Sequence, residues 1–151
     1  MRYSSASLVA LILVVTFAAG CSSSLSSPAS PSAGTGTTAL NADQVAGTWT
    51  LVSIKPADQT EQTVPAGAPY ALTFADGRIS TKADCNVCSG SLVVGGQTLT
   101  IGPLLACTRA ACPTMIFETT YVAILAGDSV ARIDGTSLTL TSSRGELRFR
   151  R

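Results

Sequence analysis

Four cysteines carry most of the chemistry this sequence could perform. Cys85 and Cys88 form a C-x-x-C within TKADCNVCSG, and with Cys107 and Cys112 the set reads C-x2-C-x18-C-x4-C. Such spacing serves three chemistries: four thiolates around a tetrahedral zinc ion, a redox-active dithiol, or a disulfide framework. Nothing else in the chain competes with them. There is no histidine, which removes the commonest general base, the commonest metal ligand and every His-based triad. Asp76 and Asp134 stand in turn dipeptides, and Asp58 and Glu61 in the loop KPADQTEQTVPAGAP. Asp84 and Glu118 are the one pair that could act as an acid/base couple, and nothing in the sequence brings them together. Gly95-Gly96 reads as a turn, because no helix opening on Lys-Ser or Lys-Thr follows it as in a phosphate loop. The expectation is no catalytic residue, no cofactor and no metal, and hence no enzyme.

The compartment decides between the cysteine chemistries, and the N-terminus speaks to it. Residues 1–20 hold one Arg, an uncharged run from Leu8 to Ala19, and small residues leading to Cys21. The run falls short of the roughly 20 apolar residues of a spanning helix and matches the core of an export signal. Ala18-Ala19-Gly20-Cys21 resembles a bacterial lipobox, with Ala18 where Leu is usual; the resemblance implies cleavage before Cys21 and lipidation of that cysteine. Ordinary secretion, with cleavage near Ala19, is the other reading. Residues 21–39 are that cysteine followed by SSSLSSPASPSAGTGTTA, which has no charge or aromatic and reads as a disordered tether. A linker of about 18 such residues holds a domain on the order of 25 Å from its anchor. A lipid at Cys21, a spacer and a domain over residues 40–151 is the expected organisation, on the cell membrane or the outer membrane. Ser22 after the lipidated position favours the outer membrane of a diderm.

Export leaves nine basic and nine acidic side chains, since Arg2 departs with the signal. A neutral domain has no electrostatic footprint for nucleic acid. The six aromatics beyond the signal, Trp49, Tyr70, Phe74, Phe117, Tyr121 and Phe149, all fall within expected strands or a helix rather than free to stack on bases.

The elements that must position the cysteines are mostly strands. TWTLVSI, YALTF, SLVV, QTLTI, SLTLT and ELRFR alternate apolar and polar residues, and Asp76-Gly77, Gly95-Gly96, Asp134-Gly135 and Arg144-Gly145 punctuate them. Period-two runs between X-Gly turns predict hairpins of half-buried strands, hence a mainly β, α+β domain: a small antiparallel barrel or sandwich. One segment differs. In CPTMIFETTYVAILAGD, Phe117, Tyr121, Ile124 and Leu125 fall at i, i+4, i+7 and i+8. With Pro113 in the first turn and Gly127 at the C-terminal cap, one helix is expected over residues 113–126, its stripe packed in the core and Glu118, Thr119 and Thr120 toward water. Arg148 and Arg150 alternate with Leu147 and Phe149, which reads as the solvated face of an edge strand.

The order of these motifs resembles the META domain of heat-inducible bacterial lipoproteins. The resemblance runs through Gly47-Thr48-Trp49-Thr50-Leu51, Leu72-Thr73-Phe74, Asp76-Gly77-Arg78-Ile79-Ser80, Cys85-Asn86 with Ser89-Gly90-Ser91, and Leu99-Thr100-Ile101. It continues through Thr108-Arg109-Ala110-Ala111-Cys112, the helical Glu118, Tyr121 and Leu125, Leu138-Thr139-Leu140 and Leu147-Arg148-Phe149. It implies a small antiparallel β domain with one helix, placed in the envelope, associated with stress and drug tolerance and without an established catalytic activity. Two departures stand out: Thr81 and Asp84 replace a usual glycine pair, and Cys88 and Cys107 are additional to the family's two cysteines.

For an exported domain, disulfides outrank zinc or a reactive dithiol, and a β environment without a βαβ unit argues further against the latter. An extended chain puts the Cα atoms of Cys85 and Cys88 about 10 Å apart, so pairing across segments is expected. Because the resemblance singles out Cys85 and Cys112, it implies that these two pair and leaves Cys88 for Cys107. The functional expectation is a monomeric, non-enzymatic lipoprotein, bound to the membrane by its lipid and engaging an envelope protein through an exposed apolar patch. The alternative is a carrier of a small apolar ligand, which requires a hollow barrel.

Overall fold

The computed structural model describes residues 39–151. Residues 1–38, on which the expected export signal, the expected lipidation at Cys21 and most of the expected tether fall, lie outside the described residues. The chain begins with a short helix α1 (Ala42–Val45), closed by a capping box in which Asn41 Oδ1 accepts from the Gln44 N–H at 2.9 Å and Gln44 Oε1 from the Asn41 N–H at 2.8 Å. This helix is an addition to the single one expected. Ten strands follow: β1 (Gly47–Pro56), β2 (Gln62–Thr63), β3 (Tyr70–Ala75), β4 (Arg78–Ala83), β5 (Asn86–Gly95), β6 (Thr98–Ile101), β7 (Ala106–Cys107), β8 (Gly127–Asp134), β9 (Ser137–Ser142) and β10 (Gly145–Arg150). The long helix, α2 (Met115–Leu125), lies between β7 and β8.

Eight strands run β1-β3-β4-β5-β6-β8-β9-β10, all antiparallel, and β10 pairs back onto β1 to close a barrel. The short β2 and β7 pair outside this circuit, on β1 and β5. Between a barrel and a sandwich, the structure is a barrel. Closure also corrects the reading of the last strand: β10 is flanked by β9 and β1 and is no edge. Arg148 faces outward and pairs with Glu61 at 3.2 Å and Glu146 at 2.7 Å.

Alternation puts one stripe of each strand inside: Leu72 and Phe74 of β3, Ile79 of β4, Leu99 and Ile101 of β6, Leu138 and Leu140 of β9, Leu147 and Phe149 of β10. In β1 the phase shifts by one at a bulge near Val52, so Trp49 and Leu51 precede it in the core and Ile54 follows it, while Ser53, opposite the outward Arg148, is covered by β2 and donates to Glu61. Gly145, the first residue of β10, sits at φ +140°, and a Cβ there would lie 2.3 Å from the Lys55 carbonyl oxygen. Closure of β10 on β1 therefore requires glycine at this position.

Helix α2 is shorter than expected, with Thr114 as N-cap, so Pro113 precedes the helix rather than occupying its first turn. Gly127, at φ +85°, follows the C-cap as the expected terminator. The buried residues of α2 are Phe117, Tyr121, Ile124 and Leu125, the helical stripe read from spacing. Their rings meet inward side chains edge-on: Tyr70 lies 5.0 Å from Phe117 and 5.4 Å from Tyr121, and Tyr121 lies 6.5 Å from Phe149. Glu118 is half-buried instead of fully wet.

Strand directions assign the loops to two ends. The chain reaches β1 at the same end as the β3–β4 turn and the C-terminus; there Leu40 N–H donates to the Gly96 carbonyl and Arg151 stacks 4.3 Å from the ring centroid of the buried Trp49. The opposite end carries the β4–β5 turn, the cysteines and the start of α2.

Candidate functional site

The β4–β5 turn is made by Asp84 and Cys85, and it reverses the chain before the C-x-x-C rather than inside it. Asp84 takes φ +53°, a conformation that favours glycine, so this departure from the family pattern preserves a glycine-like backbone. Its side chain is used as well. Asp84 Oδ2 accepts from the Thr114 N–H at 3.0 Å and from the Thr114 hydroxyl at 2.6 Å. The N-cap's own side chain does not cap α2; it accepts in turn from the Tyr70 hydroxyl at 2.7 Å. Burial raises the Tyr70 phenol above its ordinary value, against the hydrogen bond to Thr114. Deeper in, Tyr121 donates to Thr81 Oγ1 at 2.6 Å, and Thr81 donates to the Ala71 carbonyl at 2.8 Å. Tyr121 is fully buried, and desolvation raises its phenol strongly.

Beside the turn, Asn86 opens β5 and is only 3 % exposed. Its Oδ1 accepts from the Thr108 hydroxyl and from the Ala110 N–H, both at 2.8 Å. Its Nδ2 donates to the Ala110 carbonyl at 3.1 Å, to Cys112 Sγ at 3.1 Å, and to both Glu118 oxygens at 2.9 and 3.1 Å. A single amide thus ties β5, the segment 108–112 and α2 together. Residues 84 and 118, the acid/base candidates, are brought to the same end, yet each carboxylate is bound to a different partner. Among the described residues, every buried side-chain nitrogen and oxygen is hydrogen-bonded.

The cysteines flank this amide. Cys85 is bonded to Cys112 with Cα atoms 5.6 Å apart, and Cys88 to Cys107 with Cα atoms 4.0 Å apart. Cys88 is fully buried on the inner face of β5, whereas Cys85 is exposed at the turn. The two bridges close loops spanning 27 and 19 residues, each contributing about 3 kcal/mol in the loop-entropy picture. Both fasten the segment between β7 and α2 to the strand behind it. Among the described residues, no group of three or more His, Cys, Asp or Glu side chains is arranged to hold a metal ion. Cys21, the expected lipidation position, is outside the described residues.

Sequence reading singled out the cysteines and passed over the residues that organise them. Asn86 appeared only beside Cys85 in a shared motif, and Tyr70 and Thr114 carried no signal, because their partners lie 32 and 44 positions away along the chain.

The braced segment forms one wall of a groove of about 550 Å³, and α2 forms the other. Cys107, Thr108, Arg109 and Ala111 line the first wall; Met115, Glu118, Val122 and Ala123 line the second. At the start of α2, Met115 is 53 % and Ile116 88 % exposed, large apolar side chains on the end of the barrel away from Leu40.

Comparison with known proteins agrees with this architecture. An NMR structure of a protein from Burkholderia xenovorans superposes with a TM-score of 0.61 at 27 % identity, covering 73 % of this chain and 85 % of that one. A second NMR structure superposes with a TM-score of 0.58 at 21 % identity, covering 74 % of this chain and 94 % of that one, and so shares the fold. No curated protein matches the chain. The pattern of the META domain matches residues 42–151, from α1 through the barrel, the Cys85-Asn86 turn and α2 to the last strand. This chain is a member of the META-domain family.

Proposed function

We propose that the protein is a non-enzymatic lipoprotein of the bacterial envelope, in which the META barrel acts as an interaction module supporting stress or drug tolerance. In this reading the chain is exported, lipidated at Cys21 and held on the cell membrane or outer membrane as a monomer. The observation that carries it is the filled interior. Trp49, Tyr121, Phe74 and Phe149 are buried among Ile54, Leu72, Leu99, Leu125 and Leu138 where a carrier would hold its ligand. A filled barrel acts through its surface, and the exposed Met115 and Ile116 supply apolar contact area there. Two disulfides suit an oxidising compartment.

The test is crosslinking in intact cells, with a photoreactive residue at Ile116 or, as a control, at Thr139 on the outer face of β9, followed by native mass spectrometry of the purified lipidated form. Expected are a discrete envelope-protein adduct from position 116, none from position 139, and an N-terminus bearing lipid. A stoichiometric small apolar ligand retained in the native spectrum would instead establish the carrier reading.

A further inference from the structure

The groove beside α2 has a strand edge for one wall, and this assigns it a kind of partner. Thr108 N–H donates to the Val87 carbonyl at 3.0 Å, so residues 87 and 108 face each other at a hydrogen-bonded position of the antiparallel pair. The next pair, Cys88 and Cys107, is then a non-hydrogen-bonded one, in keeping with its 4.0 Å Cα separation. The main-chain N–H and C=O of Cys107 consequently point away from β5, toward the groove, and β7 pairs with no strand but β5 among the described residues. Opposite this edge stands α2, with Met115, Val122 and Ala123 on the groove side. Arg109 and the Glu118 carboxylate place one charge of each sign along it.

A groove between a free strand edge and a helix is the geometry in which an extended peptide adds as a further strand, its main chain bonding the edge and alternate side chains resting on the helix. Preformed sites bind without an ordering cost, and this wall is held by both disulfides and by the six hydrogen bonds of Asn86. Among the described residues, no other loop carries both a disulfide and a buried side-chain hub of this kind. We propose that the protein binds an extended segment of a partner protein, with apolar side chains at alternate positions, by strand addition to Cys107 in the groove between β7 and α2. The inference rests on the interaction reading above and names the surface and the class of ligand.

The test uses the full-length chain with intact disulfides and a displayed library of random linear peptides as probe. Selected peptides are measured against the native chain, against Ala123→Trp, which fills the groove from an exposed helix position, and against Val93→Trp, on the outer face of β5 outside the groove. Expected is a loss of affinity of about tenfold or more in Ala123→Trp, no change in Val93→Trp, and slowed exchange of the Cys107 amide on binding, the mark of strand addition. Peptides unaffected by Ala123→Trp, or binding without protection of the Cys107 amide, would overturn the proposal. So would a Cys107 amide already protected in the free chain, which would show that the edge is not available for strand addition. If the library yields nothing while crosslinks form in cells from another face, the groove assignment fails and the interaction reading stands.

Discussion

Replacing Asn86 tests the claim that one buried amide holds the cysteine segment in place. Asn86→Ala removes two acceptor contacts, to Thr108 Oγ1 and the Ala110 N–H, and the donor contacts to Ala110, Cys112 and Glu118. A bond to a charged group is worth about 1.5–3 kcal/mol and a neutral one about 1 kcal/mol. Ala110 and Thr108 are exposed and recover part of this from water, so the expected loss is about 2–4 kcal/mol, a large share of the roughly 5–15 kcal/mol typical of a domain. Asn86→Asp sharpens the test. It keeps the acceptor but places a carboxylate where Nδ2 lies 2.9 Å from Glu118. Two like charges about 3 Å apart repel by about 5 kcal/mol at an effective dielectric near 20, before half-buried Glu118 turns away. At neutral pH Asn86→Asp should therefore be at least as unstable as Asn86→Ala. The folded variant binds a shared proton more tightly than the unfolded chain, whose carboxyls titrate near 4. Stability relative to Asn86→Ala should thus be highest below about pH 4 and fall as pH rises through the raised folded value. The assay is urea unfolding followed by fluorescence of the single, buried Trp49 under non-reducing conditions. A loss below about 0.5 kcal/mol for Asn86→Ala, or a pH-independent difference between the two variants, would show that Asn86 does not hold the segment.

Two further predictions concern the barrel. Gly145→Ala should cost about 3 kcal/mol or more, or prevent folding, because the new Cβ would meet the Lys55 carbonyl at 2.3 Å and the Pro56 Cα at 2.8 Å; a variant melting with the native protein would contradict this. Tyr70 and Tyr121 are held protonated above their ordinary range, so stability should be level up to about pH 10 and fall beyond it by up to about 1.4 kcal/mol per pH unit for each phenol. Tyr121→Phe should remove at least half of that slope, as measured by unfolding between pH 9 and 11; an unchanged slope would assign the alkaline loss elsewhere.

Some of this structure could be read directly. TWTLVSI, YALTF, SLTLT and ELRFR became β1, β3, β9 and β10, because alternation reports which face of a strand is buried whatever it packs against. The α2 stripe was equally legible. RISTKA and GDSVARID, now β4 and β8, were missed because Thr81 and Ser129 occupy inward positions where an apolar residue would have completed the pattern. Asp76-Gly77 is the two-residue turn it reads as, while Gly96 and Gly135 open their turns and Gly145 lies one place beyond its own.

Most strands, their inward stripes and α2 were legible because each depends on residues within a few positions of one another, and the order of the short motifs along the chain pointed to a small β family. That the sheet closes, that Arg148 lies on a paired strand and that Asn86 is the hub of the cysteine segment emerge from the folded chain alone. The pairing of β1 with β10 joins Leu51 to Phe149, and the groove sets Cys107 against Val122. Contacts of that range are fixed by chain closure and mutual packing, which leave no periodic trace in either segment alone.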